Sequence, residues 1–248
     1  FYRGDKKVKV PANYKYAKPS PLCTKIENEG VEVTTIEHLL SVCNGLGIDN
    51  MLVELHDLEV PILDGSGYEF YQTLQHAGLK QLSTPKKTVK ILETVTYQEG
   101  DITIFVSPSN NSNFTFSIDF DHKQIGQQEF SFQLTERNYA DNIAKAKTFG
   151  FRKDYEMLLD KGLAKGASDR NAIILDEEGN IENMDAMTWL NEPNLHKILD
   201  QIGDFYLANN YRIIGDVFSH KSGHSSHLAF ITKLMEECTD NYVIIEDY

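Results

Sequence analysis

The sequence has few cysteines, no long apolar run and no excess of positive charge. Its three cysteines, Cys23, Cys43 and Cys238, lie far apart in a chain of 248 residues, so we expect neither a disulfide framework nor a cysteine-based zinc site. Sparse cysteine fits a reducing compartment, and we expect a cytoplasmic protein. No stretch approaches the ~20 apolar residues that a membrane helix needs, so we expect no stable membrane insertion.

Acidic residues outnumber basic ones, with 37 Asp and Glu against 24 Lys and Arg and a formal net charge of −13. A nucleic-acid-binding surface needs a basic face, so we expect no nucleic-acid partner. The sequence also lacks the Gly-x-Ser-x-Gly, Walker-type and Gly-x-Gly-x-x-Gly motifs. Their absence disfavours a serine hydrolase, a P-loop phosphoryl transferase and a dinucleotide-dependent oxidoreductase.

Two halves of the chain repeat one order of elements. In the first half, apolar residues at helical spacing over 36–43 predict a helix, and a strand is expected over 51–55. In the second half, the apolar spacing over 195–205 predicts another helix, followed by a strand over 212–217. A short polar linker with Pro85 separates the halves, which predicts domains over 1–84 and 85–248.

The second half also contains several segments rich in β-branched and aromatic residues, bounded by turn residues. They predict strands over 88–97, 102–106, 114–120 and 172–175, with helices over 139–147 and 153–159. Strands at hairpin-like spacing favour an α+β layered fold over a doubly wound parallel sheet.

One stripe of the second predicted helix carries His196, Asp200 and Asp204. Residues four apart lie on one helix face, so His196 and Asp200 can hold one metal ion through an imidazole and a carboxylate. A surface hydrogen-bonded pair has the same spacing and is the commoner case.

Glu37 and His38 begin the first predicted helix and have two interpretations. Glu37 follows Thr34 by three residues, which is the spacing of a capping box. Alternatively, His38 binds a metal ion while Glu37 acts on a metal-activated water, as in many zinc hydrolases. The residues alone favour the capping box.

The remaining histidines are interpreted from the residues around them. His224, in a Gly-His loop after the last strand of the second half, suits a mobile, exposed general acid, although a surface histidine is the commoner case. His220 and His227 are interpreted as solvated, and His56, His76 and His122 as structural, because no partner lies at ligand spacing.

Seven short sequence strings follow one another in a fixed order along the chain. Together they identify a protein family far more specifically than any single motif does. They are TIEHLLS with GLGIDN (35–41 and 45–50), EVPILDGS (59–66), IDFDH (118–122), KTFGF (147–151), GLAKGAS (162–168), HKILDQIGD (196–204) and KSGH (221–224). In this order they closely resemble UDP-3-O-acyl-N-acetylglucosamine deacetylase, the zinc enzyme of the committed step of lipid A synthesis.

The resemblance implies an α+β fold of two similar two-layer domains, packed helix face to helix face, with a small βαβ insert in the second at about 151–176. It assigns Zn²⁺ to His38, His196 and Asp200. Roles in the acid–base chemistry are implied for Glu37 as general base, His224 as general acid, Asp204 as the residue that orients His224, and Thr148 as the oxyanion donor.

The same resemblance implies an acylated UDP-amino sugar as the small-molecule partner and a monomeric enzyme that releases acetate and a free 2-amino sugar. Contacts with this substrate are implied for Phe120, Phe149, Lys197, Lys221, Leu163 and Ser168. Leu163 belongs to the insert, whose apolar passage takes the acyl chain.

The sequence departs from the family pattern in three places. The family's first strands have no counterpart before Phe1, so we expect the first sheet to lack members. Pro193-Asn194-Leu195 replaces an aromatic residue and an arginine, and Ser225-Ser226-His227 replaces Ala-Leu-Asn. Two alternatives therefore stay open: a catalytically weak relative that binds zinc or a nucleotide sugar, and an acidic α+β binding protein without metal.

Overall fold

The computed structural model describes residues 1–20, 22–155, 166 and 168–247, which form a mixed α/β fold. Its first part contains β1 (Tyr2–Arg3), β2 (Val8–Lys9), β3 (Ala17–Lys18), β4 (Lys25–Asn28), β5 (Val31–Thr34), α1 (Glu37–Leu46), β6 (Glu54–Leu55) and α2 (Tyr68–Ala77). Its second part contains β7 (Lys86–Ile91), β8 (Val95–Glu99), β9 (Ile102–Ser107), β10 (Ser112–Asp119), β11 (Gln127–Gln133), β12 (Phe149–Phe151), β13 (Ile173–Leu175), α3 (Glu192–Phe205), β14 (Arg212–His220), α4 (His224–Glu236) and β15 (Tyr242–Asp247).

A seven-stranded mixed sheet dominates the second part, and β14 is its central strand. One edge of β14 pairs with β10 in parallel, and the other pairs first with β7 and then with β9. Buried and exposed residues alternate along β14, so one sheet face is covered. The helices α3 and α4 pack on this sheet, which places the residues of both helices against its buried face.

The first part forms two three-stranded sheets, in the orders β2-β1-β6 and β3-β4-β5. All ten residues of α1 are buried, so this helix lies inside the molecule and not on its surface. Its main partner is α3 of the second part. Helices α1 and α3 therefore pack against each other, and the α+β class is confirmed.

Glycine permits the close approach of α1 and α3. A Cβ atom at Gly203 of α3 would lie 2.1 Å from the carbonyl oxygen of Glu37 in α1. Elsewhere on α1, a Cβ atom at Gly45 would lie 2.5 Å from the Tyr139 ring. Neither contact leaves room for a methyl group, so the separation of α1 and α3 depends on Gly203, and the packing of Tyr139 on α1 depends on Gly45.

We expect Gly203→Ala to destabilise the protein by about 1–3 kcal/mol, because the new methyl group must push the backbone of α1 away. Chemical denaturation measures this loss. Gly150→Ala is the matched control, since a Cβ atom at Gly150 meets no atom of the described residues within 4 Å. Equal stability of the two variants would contradict the proposed tight contact.

Several sequence expectations about element bounds were wrong. Residues 88–97 form two strands, β7 and β8, and the strand expected over 51–55 is only Glu54–Leu55. The helix expected over 139–147 is a π-helical turn at Tyr139–Ile143 after a short helix at Glu136–Asn138. Burial of Tyr139 against Gly45 fixes this irregular turn and overrides the helical pattern.

The insert is described only in part. Strands β12 and β13 pair in parallel, and residues 152–155 between them are helical, as a βαβ unit requires. Most of the helix expected over 153–159 lies outside the described residues. The division into domains 1–84 and 85–248 stays a prediction. Within the described ranges, no helix has both the length and the apolar character needed to cross a membrane.

Candidate active site

Three predicted ligands from two helices converge in the contact between α1 and α3. The His38 Nε2 atom lies 3.8 Å and the His196 Nε2 atom 3.3 Å from Oδ1 of Asp200. The two imidazole rings stand nearly perpendicular, at 85°, with centroids 4.9 Å apart. All three residues are buried, and one ligand atom from each lies within 4.8 Å of the others.

The chemistry of this cluster fits a bound cation. The His196 Nδ1 atom lies 2.9 Å from the carbonyl oxygen of Ala146, which only accepts, so Nδ1 carries the hydrogen and Nε2 of the neutral ring carries a lone pair. Burial lowers the pKa of His38 to about 3 and keeps it neutral. Among the described residues, Oδ1 of Asp200 meets no hydrogen-bond donor.

Asp200 remains ionised despite its burial. Burial opposes its charge, but nearby positive charge, from Lys197 first, more than offsets this cost, and the pKa of Asp200 lies well below its usual range. Lys197 Nζ donates to the other carboxylate oxygen, Oδ2, over 2.9 Å. The cluster thus presents one negative charge and imidazole lone pairs to the same point, which is a donor set that zinc accepts.

Glu37 lies beside this cluster and does not cap its own helix. Among the described residues no side chain caps helix α1, and Oε2 of Glu37 accepts instead from the backbone N–H of Thr24 over 3.0 Å. The capping-box interpretation was wrong because Thr34 belongs to β5, where it pairs with Lys25. Burial raises the pKa of Glu37 to about 8, against the lowering effect of His224.

His224 is the first residue of α4, and its Nε2 atom lies 4.0 Å from Oε1 of Glu37 and 3.9 Å from Oδ2 of Asp200. Its Nδ1 atom lies 2.9 Å from Oδ2 of Asp204. Burial disfavours the imidazolium, but Asp204 first, then Asp200 and Glu37, more than offset it and raise the pKa of His224 to about 9. The expectation of an exposed imidazole was wrong, because only 8% of the side chain is exposed and three carboxylates lie close to the ring.

A cavity of about 430 Å³ opens beside these groups. Its lining includes the cluster of His38, His196 and Asp200, together with Glu37 and His224. The same lining includes the apolar side chains of Phe151, Ile173 and Ile62. The cavity therefore combines charged groups with apolar surface suited to hydrocarbon.

Most of the predicted substrate contacts share this cavity. Thr148, Phe120, Phe149, Ser168 and Lys197 all line it. Lys221 is not among the described lining residues; its Nζ atom pairs with Asp119 at 2.9 Å. Leu163 lies outside the described residues.

Comparison with known proteins agrees with this arrangement. The family model described as LpxC, UDP-3-O-acyl N-acetylglycosamine deacetylase, matches residues 1–236. The chain belongs to this family.

Relatives named UDP-3-O-acyl-N-acetylglucosamine deacetylase match most of the chain. The protein of Nautilia profundicola is 42% identical over 224 residues, which are 90% of this chain and 76% of the relative. That of Pseudomonas entomophila is 41% identical over 240 residues, 96% of this chain and 78% of the relative. That of Wolinella succinogenes is 39% identical over 248 residues, 100% of this chain and 83% of the relative. The deacetylase resemblance drawn from the seven strings is confirmed.

Two further residues of this deacetylase-family site were not predicted from the sequence. Thr24 donates its backbone N–H to Glu37, and its hydroxyl donates to Asp204 and lies 3.1 Å from Nδ1 of His224. His227, interpreted as solvated, is fully buried and bonds Asp204. No local pattern marks Thr24, because it joins the site only through folding. His227 carried a signal, since it follows His224 by one helical turn.

Proposed function

We propose that this protein is a zinc-dependent deacetylase that hydrolyses the acetamide of an acylated UDP-N-acetylglucosamine in lipid A synthesis. The observation that carries the proposal is the convergence of His38, His196 and Asp200 beside Glu37 and His224, in a chain of the deacetylase family. Family names supply the substrate class, and the buried donor set supplies the reason for a metal. A monomeric state, a cytoplasmic location and the lack of a nucleic-acid partner stay predictions from the sequence.

The metal ion would be held by His38, His196 and Asp200. When bound there, zinc supplies positive charge that acidifies water and polarises the acetamide carbonyl. Lys197 stabilises the ionised form of Asp200 through its contact with Oδ2, so the carboxylate stays available as a ligand.

The side chains around this centre divide the proton transfers. Glu37 takes the proton from the attacking water at its carboxylate, while the water oxygen bonds to the acetamide carbon. His224 then donates its Nε2 proton to the sugar nitrogen as the carbon–nitrogen bond breaks. Thr148, on the cavity wall, donates to the oxyanion that forms between these steps. The products are acetate and a free 2-amino sugar.

The cavity lining contains groups suited to each part of the substrate. Phe120, Phe149 and Lys197 contact the sugar and its phosphates, and Ser168 lies on the same wall. Lys221, paired with Asp119, is the proposed outer phosphate contact. The acyl chain lies against the apolar lining, and Leu163 is proposed to belong to the same passage.

The test is acetate release from the acylated UDP-sugar by the intact protein, before and after removal of metal with a chelator. We expect turnover that falls to background with chelator and returns with added zinc, together with one metal ion per chain by elemental analysis. A protein that holds metal without turnover would be the catalytically weak relative. A chain that neither holds metal nor turns over would be the acidic binding protein.

The apolar lining of the cavity gives a separate prediction. Ile62→Trp should raise KM for the acylated sugar by about 10- to 100-fold, because the larger ring fills space meant for the acyl chain. Turnover of the unacylated UDP-sugar should change little. Leu92→Trp, at an exposed position with 47% accessibility, is the control for the bulky ring itself. An equal loss for both substrates would argue against an acyl chain at Ile62.

A further inference from the structure

His227 is buried at the end of a hydrogen-bond chain that leads to the reaction centre. Its exposed fraction is 0%, although it lies in the first turn of α4. The Nδ1 atom lies 2.7 Å from Oδ2 of Asp204, and the Nε2 atom lies 2.9 Å from Oγ of Ser222. Both ring nitrogens therefore have a partner, and both partners are buried side chains.

The partners fix the direction of each hydrogen bond. A carboxylate only accepts, so the hydrogen on His227 lies at Nδ1 and is donated to Asp204. Burial lowers the pKa of His227, which keeps the ring neutral and leaves a lone pair at Nε2. The hydroxyl of Ser222 then donates to Nε2. The rings of Phe116 and Phe205 each meet the imidazole at 88°, which restricts its rotation.

Asp204 is held by three donors at once. Its Oδ2 atom accepts from His227 and faces His224 Nδ1 at 2.9 Å, while its Oδ1 atom accepts from the hydroxyl of Thr24. Two nitrogens at 2.7 and 2.9 Å from one oxygen are at hydrogen-bond distance. Ligands of a common zinc ion at ~2.0–2.2 Å would lie farther apart, so the arrangement favours proton-mediated contacts over a second metal.

We propose that His227 is a positioning residue for the general acid, because its Nδ1–H holds the Asp204 carboxylate with Oδ2 directed at His224. This inference rests on the proposed function, since it requires His224 to protonate the leaving amine.

Two conservative substitutions separate the two ring nitrogens. In His227→Asn the side-chain amide reaches the position of Nδ1 and can still donate to Asp204. In His227→Gln the amide reaches the position of Nε2, which keeps a partner for Ser222 but leaves Asp204 without its donor. A merely structural role predicts that the smaller Asn is the more damaging change, whereas the positioning role predicts the opposite order.

The experiment compares kcat, KM and bound metal in these variants of the full chain. We expect His227→Asn to retain kcat, and His227→Gln to lower kcat by about 10- to 100-fold, the value of a buried hydrogen bond to a charged group. The KM and the metal content should stay unchanged. Loss of kcat in His227→Asn that equals or exceeds the loss in His227→Gln would overturn the proposal.

A double substitution tests whether His227 acts through His224. In a His224→Ala background, His227→Gln should add little further loss, because the group that it positions is already absent. A full additional loss would identify a general structural effect and overturn the proposal.

Histidine nitrogen NMR gives a readout that needs no activity. We expect a neutral His227 with its hydrogen at Nδ1, and a hydrogen at Nε2 would overturn the proposal. Acetate release by the unsubstituted protein is measured first, because its absence refutes the deacetylase function itself, whereas an active enzyme with the wrong tautomer refutes only the role of His227.

Discussion

Glu37→Gln should lower kcat by about 10²–10⁴-fold while the metal stays bound, since Glu37 is proposed as the base and not as a ligand. Glutamine keeps the length of the side chain and can still accept from the N–H of Thr24, now 3.0 Å from Oε2. What it loses is the ability to take a proton. Rate measurements under saturating substrate, with metal analysis of the same samples, check both halves of this expectation.

Stability should separate this catalytic role from a structural one. Burial raises the pKa of Glu37 from 4.5 to about 8 in the metal-free chain, so folding favours its protonated form. That contribution to stability is complete below pH 4.5 and is lost as pH rises through about 8. At alkaline pH, metal-free Glu37→Gln cannot ionise and should therefore melt at the same temperature as the unsubstituted protein or higher.

Glu69→Gln is the matched control, because Glu69 occupies the first turn of α2 as Glu37 does in α1, but is exposed. It should leave kcat unchanged. If Glu37→Gln retained normal turnover, or lost activity only in step with its metal content, Glu37 would not be the base.

The parts of this site that follow helical spacing could be read from the sequence. His196, Asp200 and Asp204 share one face of α3 because they are four residues apart, and the structure directs all three toward α1 and α4. The motif strings carried the family assignment, which spacing alone could not supply. Boundaries were less accurate where tertiary contacts overrode local pattern, as at the π-helical turn packed against Gly45.

What could not be predicted depends on contacts between distant segments. Thr24 meets Asp204 across 180 positions, and no local pattern of either residue indicates the pairing. The role of Glu37 also depends on the fold, and its capping-box spacing was misleading. Thr35 takes a left-handed conformation, with φ of 59°, between β5 and α1. This turn separates Thr34 from the helix that it was expected to cap.

His224→Ala should reduce kcat by about 10²–10⁴-fold, because the leaving amine then has no positioned proton donor. The ring lies within 4.0 Å of both Glu37 and Asp200. Its removal therefore also takes away a positive charge that offsets the negative charges of these two carboxylates. His220→Ala is the control, since His220 lies on β14 and its Nδ1 atom bonds the Ser117 hydroxyl at 3.1 Å. It should leave the rate unchanged.

The pH profile tests the same group through Asp204. The proposed mechanism needs Glu37 ionised and His224 protonated, so the rate should rise and then fall with pH, and each limb reports the coupled site. Asp204 is the main group that raises the pKa of His224 to about 9, against the cost of burial. Asp204→Asn removes that negative charge, so the pKa of His224 should fall and the alkaline limb should move to lower pH.

The direction of this shift distinguishes the acid from other roles of His224. If His224 acted as a base, loss of the Asp204 charge would extend activity to lower pH on the acidic limb and leave the alkaline limb in place. If His224 is the general acid, it loses its proton at a lower pH in the Asp204→Asn variant than in the unsubstituted enzyme. The variant should therefore be most impaired at alkaline pH, and its rate should be closest to that of the unsubstituted enzyme near the variant's pH optimum. Rates measured across the full pH range with metal-saturated protein check this. An alkaline limb that does not move would show that Asp204 does not influence the pKa of the acid.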